Sequence, residues 1–159
     1  MDVLNLPQPQ PADPVAPAHL ASGLPPIRPA EGYAGDVSPQ LACAWWQAGE
    51  AVLIDVRSDA ERAWVGEVPG AVPLAWKQWP GMAMNADFDA GLQAALAGGK
   101  KAVLLCRSGV RSVAAARRAT ELGLQAYNIL EGFEGDPDTE AHRGRRGGWR
   151  FHNLPWRQS

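Results

Sequence analysis

The sequence is poor in the residues that build covalent or metal scaffolds. Two cysteines in 159 residues, Cys43 and Cys106, exclude a disulfide framework and a protein-only four-ligand zinc site. Three histidines, His19, His142 and His152, show no metal-ligand spacing. An excess of one charge is also missing. The 15 Lys+Arg against 17 Asp+Glu leave a net charge of -2, no electrostatic footprint for wrapping nucleic acid. No apolar run approaches the roughly 18 residues of a membrane span. What remains, 46% hydrophobic and 20% charged residues, is ordinary globular usage, and the length suits one domain.

Proline is unevenly spread. Eight of the 14 lie at Pro7, Pro9, Pro11, Pro14, Pro17, Pro25, Pro26 and Pro29. Such a stretch favours extended, solvated backbone, so residues 1–31 read as a Pro/Ala-rich tail or a docked arm. Leu4, Leu6, Val15, Leu20 and Leu24 are what an arm would dock. There is no basic n-region and no continuous apolar h-region, hence no secretory signal, and a cytoplasmic location is expected. Residues 32–159 then form the folded domain, including a basic, Trp-containing C-terminal extension. Removing the arm is expected to leave that domain folded and active.

From Gly32 onward, strands and helices alternate. Asp36-Val37 reads as a short strand, with Ser38 capping a helix that has Pro39 at its first position and ends at Gly49. Leu41, Ala44, Trp45 and Ala48 form its apolar stripe, and Cys43 on it reads as a small buried hydrophobe. The runs Ala51 to Val56 and Ala102 to Leu105 are too continuously apolar for half-exposed strands and predict buried parallel ones. Helices are expected at 59–63, 87–97 and 112–122, a proline-flanked edge strand before Leu74, and a last strand at 126–130. The pattern predicts an α/β fold, an open parallel sheet with helices on both faces.

The chemistry is concentrated where the most interior strand ends: Cys106-Arg107-Ser108-Gly109-Val110-Arg111, followed at once by a helix. A six-residue turn into a helix aims backbone N–H groups into one concavity, and the helix amino terminus adds partial positive charge. Gly109 permits positive φ, and Arg107 and Arg111 flank the nest. Such a field favours a thiolate nucleophile at Cys106 in a cradle for an oxyanion.

The segment Cys106 to Ser112 closely resembles the active-site loop of rhodanese-like sulfurtransferases. Leu53-Ile54-Asp55-Val56-Arg57 with Glu61 is similar to that family's first signature. Gly66-Glu67-Val68-Pro69-Gly70-Ala71 is similar to its second, with Glu67 where a histidine is commoner. Leu130-Glu131-Gly132-Phe133 resembles its closing Gly-rich turn, short of a second glycine. The resemblance spans about Val37 to Gly132. It implies a five-stranded parallel sheet in the order 1-5-4-2-3 and a ping-pong cycle through a Cys106 persulfide. Sulfane sulfur would come from a small anionic donor such as thiosulfate and leave to a thiol or cyanide acceptor, a protein thiol among them. No metal or organic cofactor is implied, nor nucleic acid or membrane.

Arg107, Ser108, Gly109, Val110 and Arg111 are the expected substrate-binding residues, with Asp55 and Ser112 supporting the loop. Asp55 would either accept hydrogen bonds from the loop or pair with Arg57, and Arg57 and Glu61 read as structural. The basic segment Arg143 to Arg150 would present cations at the mouth if folded over it, while Trp149, Leu154 and Trp156 call for burial on the domain. Two other readings compete: a non-catalytic partner-binding or persulfide-carrier module, and a cysteine phosphatase or arsenate reductase. The last needs five residues between Cys and Arg, and four separate Cys106 from Arg111.

Overall fold

The computed structural model describes residues 23–159. Five strands form one parallel sheet: β1 (Gly35–Val37), β2 (Ala51–Asp55), β3 (Val72–Pro73), β6 (Lys101–Leu105) and β7 (Ala126–Ile129), ordered β1-β7-β6-β2-β3. Strands β4 (Lys77–Gln78) and β5 (Ala83–Met84) form a separate antiparallel hairpin. With that hairpin set aside, the sheet has the order 1-5-4-2-3. Four helices connect the strands: α1 (Pro39–Gln47), α2 (Asp59–Val65), α3 (Phe88–Ala95) and α4 (Val110–Glu121).

Strand β6 is central and buried on both faces, which is why it reads as an unbroken apolar run. Its residues alternate between two cores. Val103 and Leu105 join Leu41, Leu53 and Ile129 beneath α1, while Ala102 and Leu104 join Leu92, Ala115 and Ala119 beneath α3 and α4. Small alanines on α4 let that helix approach the sheet closely, and the active-site turn lies at its start.

Local capping follows the sequence. Ser38 accepts the Leu41 N–H at 3.1 Å, and Ser58 forms a reciprocal capping box with Glu61. The buried face of α1 differs from the expected stripe: Pro39, Leu41, Ala42 and Cys43 are buried, with Trp45 and Trp46 half-buried beside them. The first half of α1 is the more deeply buried, so burial follows position along the axis as well as angle around it.

The arm is attached to the domain at its end. Leu24 packs on the core, and Arg28 exchanges two 2.9 Å backbone hydrogen bonds with Asp36, extending the sheet edge antiparallel to β1. Leu4, Leu6, Val15 and Leu20 lie outside the described residues. Deleting residues 1–30 removes both features. At roughly 1 kcal/mol per hydrogen bond and a similar amount for a half-buried leucine, Tm should fall by about 5–10 °C. Differential scanning calorimetry checks this, and an unchanged Tm would show that the pairing contributes nothing.

Candidate active site

Cys106 directly follows β6 and is 1% exposed. Its Sγ accepts the Gly109 N–H at 3.1 Å and lies 3.1 Å from Ser112 Oγ. Gly109 has φ +116, a conformation that a side chain resists, and α4 begins at the next residue. The helix starts at Val110 rather than at Ser112, and no side chain caps it. Its first-turn amides therefore have no intrahelical acceptor and face the turn around the sulfur.

The loop is clamped from behind by the turn after β7. Phe133 N–H donates to the Cys106 carbonyl (2.8 Å) and Glu134 N–H to that of Arg107 (3.0 Å). Tying back these carbonyls leaves the amides for the anion side. Gly132, at φ +64, passes so close that a Cβ would come within 2.5 Å of the Arg107 carbonyl carbon. Phe133 follows Gly132 in this turn. Its ring is fully buried beneath the Arg57 guanidinium, 4.1 Å from the centroid, with Trp156 edge-on at 6.0 Å.

No hydrogen bond joins the Asp55 carboxylate to residues 107–111 of the loop. That carboxylate receives the Arg57 backbone N–H, Nε and one terminal nitrogen (2.6 Å), and both residues are buried. The desolvated guanidinium draws the carboxylate to itself, so Asp55 supports the loop only through Arg57 and Phe133. That corrects the direct loop-support expectation in favour of the ion pair.

Ser112 lies directly beside the sulfur. Its hydroxyl donates to Asn128 Oδ1 (2.6 Å), and Asn128 Nδ2 donates to Asp36 Oδ1 (2.8 Å), which also accepts the Tyr33 hydroxyl (2.8 Å). Burial and then this bond push the Tyr33 hydroxyl up to about 12, so it remains a donor at neutral pH. Sequence reasoning missed Asn128, although an asparagine inside a strand buried on both faces is itself a signal, since it must find partners there. Asn128→Ala strands the Ser112 hydroxyl and one Asp36 contact. A stability loss of about 2–3 kcal/mol is expected in urea unfolding; a loss under about 0.5 kcal/mol would mean the chain of hydrogen bonds is incidental.

Arg111 is engaged by a carboxylate. It forks onto Glu61 at 2.7 and 2.6 Å, bridging α4 and α2. Burial pushes the Glu61 carboxyl up, but the bonds from Arg111 and from Ser58 outweigh it and hold the group at about 2. Because this value is depressed, the stability it confers is complete above the ordinary carboxylate range and is lost as pH falls toward 2. The same fork raises the Arg111 guanidinium above its usual range. Arg107 is exposed, and among the described residues it makes no ion pair. Cys106, Arg107, Ser108, Val110 and Arg111 together line a cavity of about 250 Å3.

The C-terminal extension packs away from this cavity. Trp149 is fully buried, and its backbone N–H donates to the Gly132 carbonyl (2.8 Å). Arg143 is tied to the Gly135 carbonyl, and Arg145 to Glu140 and Asp138. Glu67, where histidine is commoner, pairs with Arg157 through both backbone groups and the side chain, fastening the chain end beside α2. The segment thus braces the turn behind the loop; none of its cations lines the mouth.

Residues 38–136 match the model of the rhodanese-like domain family. The chain belongs to that family. It is similar to a Rickettsia rickettsii protein named "uncharacterized protein RP600 homolog", at 33% identity over 111 residues, 67% of this chain and 82% of that one. Among solved structures it is similar to Rv0390 from M. tuberculosis, with 42% identity and a TM-score of 0.68, covering 80% of this chain and 99% of that one. The likeness to a rhodanese-related protein from Thermoplasma volcanium (17% identity, TM-score 0.51, 77% and 96% coverage) concerns the fold alone.

Proposed function

We propose that the protein is a sulfurtransferase in which Cys106 carries sulfane sulfur as a persulfide. The Cys106 thiolate attacks the outer sulfur of an anionic donor such as thiosulfate. A Cys106 Sγ–S bond forms as the donor S–S bond breaks, and its electron pair leaves with sulfite. A thiophilic acceptor, cyanide in an assay or a thiol in a cell, then takes the sulfur and regenerates the thiolate. Dividing the transfer into two displacements is ordinary covalent catalysis.

One observation carries the reading: Cys106 Sγ sits 3.1 Å from the Gly109 N–H, at the uncapped start of a twelve-residue helix. An amide nest at that position stabilises negative charge on sulfur and on a departing oxyanion. The four-residue spacing of Cys106 and Arg111 favours a sulfur adduct over a phosphoryl group, which needs the longer cradle. Turnover of thiosulfate with cyanide, against para-nitrophenyl phosphate as control, tests this. Sulfite release without phosphatase activity is expected; phosphate release alone would reverse the assignment, and neither would leave a non-catalytic module.

A further inference from the structure

Two cavities adjoin at the mouth of the loop, with Arg107 and Arg111 as their common wall. The smaller contains Cys106. The larger, about 400 Å3, is walled by Trp64 and Val65 of α2 and by Trp79 and Met82 of the β4–β5 hairpin, with Glu61 beside Arg111. We propose, on the basis of the sulfurtransferase reading, that this larger cleft is the acceptor subsite. It selects a small thiol with an aromatic-sized apolar body and an anionic group.

The walls argue for the apolar body. Trp64 is 71% and Trp79 59% exposed, and two open indoles facing one cleft are an unmet site for a flat apolar group. Neither thiosulfate nor cyanide has a body to place there. A volume near 400 Å3 with mostly apolar walls and a few polar groups is the size of a small-molecule site rather than a flat protein interface. Charge argues for the anion. Of the charged residues lining the cleft, Arg111 is balanced by Glu61 and Arg107 makes no ion pair among the described residues, leaving one positive charge. An acceptor whose thiol and carboxylate are neighbours on the ring, held by the ring between the indoles and by the carboxylate at Arg107, brings its sulfur to the wall shared with the Cys106 cavity.

The transfer then balances without an added oxidant or reductant. The acceptor thiolate attacks the outer sulfur of the Cys106 persulfide, forming a new S–S bond. The bond from Cys106 Sγ to that sulfur breaks, and its electron pair stays on Sγ as thiolate. The product is the acceptor's persulfide.

The test measures sulfite release from thiosulfate with ortho-mercaptobenzoate, thiophenol, mercaptopropionate and cyanide as acceptors, compared at equal thiolate concentration. Ortho-mercaptobenzoate should exceed mercaptopropionate in kcat/KM by about 10-fold, as two aromatic contacts allow. Trp64→Ala and Trp79→Ala should each reduce that ratio several-fold, whereas Met84→Ala, exposed on the same hairpin but outside the cleft, should not. Arg107→Gln should erase the preference for ortho-mercaptobenzoate over thiophenol. Circular dichroism checks that each variant is folded. Equal use of the two carboxylated thiols, the outcome expected if the cleft serves a protein acceptor, would overturn the proposal while cyanide turnover kept the sulfurtransferase reading intact. A ratio unchanged in both tryptophan variants would overturn it too. No sulfite release with any acceptor, cyanide included, would mean that the sulfurtransferase reading had failed first.

Discussion

Cys106→Ser should reduce sulfur transfer to background while Cys43→Ser retains most of it. The two thiols are both buried, so exposure does not distinguish them. Their surroundings do. Cys43 lies in α1 against the apolar core, where burial pushes its thiol up to about 11, so it stays protonated and inert at neutral pH. Cys106 has an amide N–H and a hydroxyl within 3.1 Å of its sulfur and unpaired helix amides beyond them. A serine there offers a hydroxyl in place of a thiolate and forms no persulfide. Cys43→Ser buries a polar group instead and should cost roughly 1–3 kcal/mol of stability rather than chemistry. Steady-state assays on both folded variants decide this, and comparable losses of activity would contradict a single nucleophile.

Arg111→Met should lower kcat/KM for thiosulfate by about 10- to 100-fold, the equivalent of charge-assisted hydrogen bonds worth roughly 1.5–3 kcal/mol. The ion pair with Glu61 gives this loss two parts. The variant removes the cation beside the Cys106 cavity, and it leaves the Glu61 carboxylate without its ion-pair partner in the adjoining cleft, where it repels a dianionic donor. Arg111→Lys restores charge but not the fork onto both carboxylate oxygens, so recovery should be partial. Glu61→Gln keeps the cation and should cost less than Arg111→Met. The loss should fall on loading from thiosulfate rather than on unloading, because only the donor brings the dianion. Single-turnover measurements separate the two steps. Loading at the wild-type rate in Arg111→Met would make the residue a strut for Glu61 and nothing more.

Features governed by short spacings were legible in the sequence. Ser38-Pro39 specifies a helix start, and the unbroken run into Leu105 specifies a strand buried on both faces. The nest at Cys106 was legible for the same reason, since six consecutive residues carry it. Contacts across long separations were not. Arg111 and Glu61 are fifty positions apart, and although one reads as substrate-binding and the other as structural, nothing in the sequence pairs them. The β4–β5 hairpin has two-residue strands, too short to show alternation, so Trp79 and Met82 gave no sign of forming a wall. The C-terminal extension was half legible: its tryptophans called for burial, but their direction depends on the carbonyl of Gly132 and on Glu67.

The account rests on sulfur reaching Cys106, and intact mass spectrometry after thiosulfate treatment observes that step without any acceptor. The full chain should gain the mass of one sulfur atom, on the peptide containing Cys106, and lose it on adding cyanide; Cys106→Ser should gain nothing. An unchanged mass in the wild-type protein, or sulfur found on Cys43, would contradict the assignment.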